Sequence, residues 1–120
     1  MSIMADREQI IGQYVTQLLE VGSPLGIVLF GSQASGIAGP DSDVDLLIIE
    51  QTDIPRHRRA ITYRQALHPH PLSVDLLVRT AHEIQRDYAE RFPLIVEILS
   101  KGRWLHGNPR CVGFSGASPR

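Results

Sequence analysis

Asp43 and Asp45 stand on either side of Val44 and open the apolar run Leu46-Leu47-Ile48-Ile49. Residues two apart on an extended chain share a face. Both carboxylates therefore project together from the mouth of a strand. Ten residues separate Asp43 from the pair Gly31-Ser32, which follows another apolar run, Ile27-Val28-Leu29-Phe30. That run reads as a buried strand, with Gly-Ser as the turn out of it. Side-by-side carboxylates repel and are costly to bury unpaired, and a divalent cation relieves both problems. Oxygen-only ligands at this spacing suit Mg²⁺, which usually shares its coordination with waters and substrate phosphates. Gly31 has no side chain to obstruct a phosphate, and the Ser32 hydroxyl can donate to one.

Other metal or phosphate motifs fit less well. An EF-hand loop opening at Asp41 needs Gly at its sixth position and Glu at its twelfth, where this chain has Leu46 and Thr52. A P-loop needs Lys-Ser or Lys-Thr after its glycines, and none follows Gly31. Ordinary turn acids are the bland alternative for Asp43 and Asp45. The Gly-Ser turn after a neighbouring strand favours a site.

Gly31-Ser32-x10-Asp43-x-Asp45 resembles the signature of the DNA polymerase β-like nucleotidyltransferases. The likeness is closest to their minimal nucleotidyltransferases, found beside HEPN-domain partners in prokaryotic toxin–antitoxin pairs. It covers roughly residues 8 to 107. The resemblance implies a third carboxylate one strand later, here Asp75 in Ser73-Val74-Asp75-Leu76-Leu77-Val78. Asp43, Asp45 and Asp75 would then be the catalytic and metal-holding acids, gathering two Mg²⁺ ions, with Asp75 nearest the acceptor hydroxyl. Gly31 and Ser32 would bind the triphosphate of a nucleoside triphosphate. The implied reaction moves AMP from ATP to a hydroxyl, on a tyrosine of a HEPN toxin, which makes the chain an antitoxin. Two other readings stand beside it: a non-enzymatic module that masks a partner, and a nucleotidyltransferase acting on a small molecule. The chain departs from the family pattern after Gly-Ser, where many members carry arginine and this one reads Gln33-Ala34-Ser35.

The composition narrows the class. At 120 residues there is room for one domain with a modest core. A net charge of −1 gives no general basic surface for gripping a long nucleic acid. Cys111 is the single cysteine and cannot form an internal disulfide, which suits a reducing cytoplasm. No apolar run approaches membrane-spanning length. The sequence leaves open whether the protein forms an oligomer.

The elements that must position the acids follow from periodicity. Ile10, Ile11, Tyr14, Val15, Leu18 and Leu19 mark an amphipathic helix that Asp6 would cap. Strands are expected over 26–30, 44–50 and 73–79, with a short helical piece after Ser32. A helix over 56–67 follows Pro55, with Thr52 or Asp53 as its cap, and its arginines read as a solvated face or a docking surface. Thr80-Ala81-His82-Glu83 is a capping box. Pro93 kinks or restarts the helix it opens, Gly102 stops it, and residues 103–106 form a short edge strand. The expected fold is α/β (α+β), a small mixed sheet with helices packed mainly on one face, the palm of the polymerase β-like enzymes by resemblance. By the same expectation, residues 1–107 are the nucleotidyltransferase domain, and 108–120, with little to bury, are expected to be a flexible tail.

Overall fold

Ile11, Tyr14 and Leu18 recur at helical spacing and are all buried, which fixes the inner face of helix α1 (Ile3–Val21). The computed structural model describes residues 3–31, 43–68 and 71–113. α1 begins before Asp6, so that residue lies inside the helix rather than capping it. Four strands follow: β1 (Gly26–Phe30), β2 (Val44–Ile49), β3 (Val74–Arg79) and β4 (Arg103–His106). Between them lie helices α2 (Arg56–Ala66), α3 (Ala81–Ala89) and α4 (Pro93–Lys101), and a 3₁₀ turn, Pro109–Val112, ends the described chain. Among the described residues no helix is long and apolar enough to cross a membrane.

The strands form one sheet in the order β3-β2-β1-β4. β1 runs antiparallel to both β2 and β4, whereas β2 and β3 are parallel and joined through α2. The mixed sheet agrees with expectation. The helix arrangement does not, because both faces of the sheet are covered. Ile27, Leu29, Leu46 and Ile48 pack with Tyr14 and Leu18 of α1 and Tyr63 of α2. Val28, Leu47 and Ile49 face the other way, onto Ile84 of α3 and Ile95, Ile98 and Leu99 of α4. Four consecutive apolar residues in β2 put large side chains on both sides, and each side needs its own cover.

Pro55 precedes α2 without a side-chain cap, and the Thr52 hydroxyl instead accepts from the Ile54 N–H in the turn before it. The capping box forms as expected: the Thr80 hydroxyl accepts from the Glu83 N–H, and the Glu83 carboxylate accepts from the Thr80 N–H. Pro93 restarts the helix rather than kinking it. The break centres on Arg91, whose φ of +61° reverses the chain after α3. The stretch assigned to a loose tail from Asn108 is a packed turn as far as Gly113. Val112 is buried against the second face, and its carbonyl accepts from Gln85 Nε2 at 2.7 Å.

Candidate active site

The last residue of β1 and the second residue of β2 face each other: Phe30 pairs with Asp45. On its other side Asp45 pairs with Asp75, the second residue of parallel β3. Adjacent strands lie ~4.8 Å apart, and side chains in register point to the same face. The fold therefore sets these two carboxylates side by side at one end of the sheet. Asp43 is exposed and comes one residue before β2. Asp75 is also exposed, and Asp45 is half-buried.

Gly31 closes this end of the sheet. It turns the chain out of β1 with φ +74°, and a Cβ built on it would run into the Asp45 carboxylate. Only glycine serves both demands, the left-handed backbone and the close approach. The Asp45 carboxyl is pushed above the usual carboxylate range. Burial is the main cause, followed by the Asp75 charge, a hydrogen bond with the Asp75 side chain, and the Asp43 charge. The like charges beside it make the ionised form of Asp45 costly.

The expected acids are therefore only partly gathered. Asp45 and Asp75 form a hydrogen-bonded pair, and Asp43 acts on it through its charge. Among the described residues, no three His, Cys, Asp or Glu side chains are already grouped as a metal site. The donor chemistry still fits a hard divalent cation. The ligands are all oxygens, and a cation between them would offset the like-charge repulsion that burdens Asp45. Ser32, the helical piece expected after it and Asp41 lie outside the described residues, so Gly31 is the one described residue of the turn expected to bind triphosphate.

Sequence reasoning missed the network at the other end of the sheet. Arg59 is nearly buried and bonds Glu83 through Nη1 at 2.6 Å, while Arg56 Nε reaches the same carboxylate at 3.1 Å. At the same end as the acids, Arg64 Nη1 donates to the Val74 carbonyl at 3.1 Å. Three arginines of the supposed solvated face thus tie α2 to β3 and α3. The signal was Glu83, whose place in a capping box makes it a fixed local anion. Beside α2 lies a cavity of about 810 Å³, lined by Ala60, Ile61, Arg64, Leu67 and Val74. It opens on the face opposite Asp75, since Val74 points away from its neighbour.

A family model described as "Nucleotidyltransferase domain" matches residues 11–105. Two solved structures share the fold. One is a toxin–antitoxin crystallised with AMP-PNP, 19% identical, with a TM-score of 0.55 over 83% of this chain and 76% of that one. The other is a mutant toxin–antitoxin, MntA-HpeT, 14% identical, with a TM-score of 0.56 over 84% of this chain and 75% of that one. No protein with a curated description matches significantly.

Proposed function

The chain belongs to the nucleotidyltransferase domain family, and we propose that it is an antitoxin that moves AMP from ATP to a hydroxyl on a HEPN-domain toxin. The observation that carries this reading is the pairing of Asp45 with Asp75 in register, with Gly31 pressed against Asp45. Two features of the structural neighbours support it. One was crystallised with a non-hydrolysable ATP analogue. The other carries Asp→Glu changes at two acids separated by one residue, the spacing of Asp43 and Asp45.

Asp43, Asp45 and Asp75 would hold two Mg²⁺ ions, whose contribution is to neutralise the triphosphate and acidify the acceptor hydroxyl. Gly31 lets the triphosphate approach the β1 turn, and Ser32 donates to a phosphate oxygen. The acceptor oxygen attacks the α-phosphorus, the α–β bridging bond breaks, and pyrophosphate leaves with the bonding electrons. Asp75 is the exposed acid of the pair and takes the hydroxyl proton. Positioning and charge stabilisation supply most of the rate in such transfers. A cytoplasmic location follows from the need for ATP. The rival reading, a masking module without chemistry, would draw on a basic α2 face, and Arg56 and Arg59 there are held by Glu83.

The test is label transfer from α-labelled ATP with Mg²⁺ and the HEPN-domain protein, beside an Asp43→Ala, Asp45→Ala control. Label on the toxin that disappears in the control is the expected result. No transfer to protein, RNA or small acceptors, together with no Mg²⁺-dependent ATP binding, would leave the masking module as the better account.

A further inference from the structure

The second face of the sheet is covered unevenly. Over β2 the cover is complete, and Leu47 and Ile49 are fully buried. Over the edge strand β3 it thins. Asp75, Leu77 and Arg79 share that face, yet Asp75 is exposed and the other two are only half-buried. The uncovered strip therefore starts at the carboxylate assigned to the acceptor. It runs along β3 from Asp75 to Arg79, four rises or ~13 Å.

Along the strip lies a shallow cavity of about 240 Å³, lined by Leu77, Arg79, Arg56, Arg86, Phe92 and Leu94, with Asp87 and Ile95 behind them. The volume is below the ~300 Å³ at which small-molecule sites begin, and suits one or two side chains instead. Three arginines line it; Arg56 is bonded to Glu83 at 3.1 Å, which leaves Arg79 and Arg86 facing the single lining acid Asp87, a modest cationic excess. Arg79 is half-buried and spends an N–H on the Val78 carbonyl at 3.0 Å. Arg86 meets Asp87 and Glu90 only at 3.8 and 3.9 Å, weak contacts for a side chain that is 56% exposed. Guanidinium groups are weakly hydrated and bind carboxylates in bidentate fashion, which makes arginine the cation of choice at protein interfaces.

The apolar side of the groove stands out from the surface. Phe92 is 51% exposed and Leu94 49%. Both follow Arg91, a non-glycine residue held at φ +61°. That conformation costs an L-residue ~1 kcal/mol and is kept here where the chain turns these side chains outward. One exposed aromatic beside carboxylate-binding arginines is the lining expected for an acidic peptide with an apolar side chain. A nucleic acid would ask for a larger cationic field than a chain of net charge −1 offers.

We propose that this groove docks an acidic segment of the protein acceptor, anchored by an apolar or aromatic side chain between Phe92 and Leu94, so that the segment runs along β3 and delivers its hydroxyl to Asp75. The inference rests on the transferase reading for what happens at Asp75, and on the groove alone for what binds.

Fluorescent random copolymers separate the two. A Glu–Tyr copolymer supplies acid, aromatic ring and hydroxyl, while a Lys–Tyr copolymer keeps the ring and hydroxyl with the charge reversed. The Glu–Tyr polymer is expected to bind about tenfold tighter than the Lys–Tyr polymer, and Arg86→Glu and Phe92→Ala to weaken it about fivefold each. Arg58→Glu, the same charge change at an exposed α2 position outside the groove, should leave binding as it was. Circular dichroism and melting temperature show that each variant is folded. Equal binding of both polymers, or indifference to Arg86→Glu and Phe92→Ala, overturns the groove. So does an Arg86-dependent affinity for poly(U) instead, or an Arg86-dependent self-association, which would make the occupant RNA or a second copy. Label transfer that needs Asp75 but ignores both groove variants also overturns it and leaves the transferase standing. Groove-dependent binding with no transfer to any acceptor supports the groove and removes the transferase.

Discussion

Gly31 lies against the Asp45 carboxylate in a left-handed conformation that leaves no room for a methyl group. Gly31→Ala is therefore expected to cost about 1–2 kcal/mol of stability, from backbone strain and from displacing the acid. Mg²⁺-dependent ATP binding should fall with it, because the displaced carboxylate is one half of the pair with Asp75. Urea denaturation and calorimetric titration read the two effects. A variant as stable and as tight-binding as the parent would show that the close approach has no functional weight.

Asp45 is half-buried beside two other carboxylates, so its charge opposes folding. Asp45→Asn keeps the shape and removes the charge. Without added metal at neutral pH, the variant should melt about 2–4 °C higher than the parent. Added Mg²⁺ should then raise the melting temperature of the parent and not of Asp45→Asn. Stabilisation of both proteins by the metal would place the cation elsewhere.

Glu83 carries the opposite sign. Burial alone would raise its pKa, but hydrogen bonds from Arg59, the Thr80 N–H and Arg56 outweigh it and hold the carboxyl at about 2. A carboxylate depressed in the folded state adds stability above its ordinary pKa and loses it as the pH falls through the folded value. Glu83→Gln should therefore cost about 2–3 kcal/mol at pH 7. The difference from the parent should shrink steadily below about pH 4.5 and vanish near pH 2. Chemical denaturation across that range measures it, and a pH-independent difference would argue for lost packing rather than lost charge.

Tyr63 is buried and its hydroxyl donates to the Glu50 carboxylate, while a Cβ on Gly22 would collide with the same hydroxyl. Tyr63→Phe is expected to cost about 1–2 kcal/mol by leaving the partly buried acceptor without its donor. Gly22→Ala should be destabilising in the parent and about 1 kcal/mol milder in the Tyr63→Phe background, where the hydroxyl contact is gone and only the ring contact, with Cζ at 2.9 Å, remains. Strict additivity in this double-mutant cycle would mean that the methyl group is accommodated by a backbone shift instead.

The strand that carries Asp45 was legible because its information is local, whereas Asp75 entered through the family resemblance. The two apolar runs identify the two strands, and Asp45 falls inside the second while Asp43 comes one residue before it. The Thr80–Glu83 cap was legible for the same reason. The second role of Glu83 was not, because Arg56 and Arg59 reach it from another helix and nothing in their spacing shows that meeting. The covering of both sheet faces was written in β2, where Leu46 and Ile48 alternate with Leu47 and Ile49 and all four are buried. A run with no polar alternation demands two layers. The turn around Val112 escaped because Gly, Asn and Pro composition reads as loose chain, while its burial depends on Ile84 and Ile98, distant in sequence.

Asp45 and Asp75 meet across a parallel strand pair, and parallel strands cannot close as a hairpin. The crossover through α2 must be in place before the two acids are neighbours, and β1 receives its second flanking strand only when β4 docks. A cation has no half-formed version of this pair to grip while the chain is still assembling. A cation held by this pair would add its binding energy to the finished sheet alone, so added Mg²⁺ is expected to slow unfolding and leave the rate of folding unchanged.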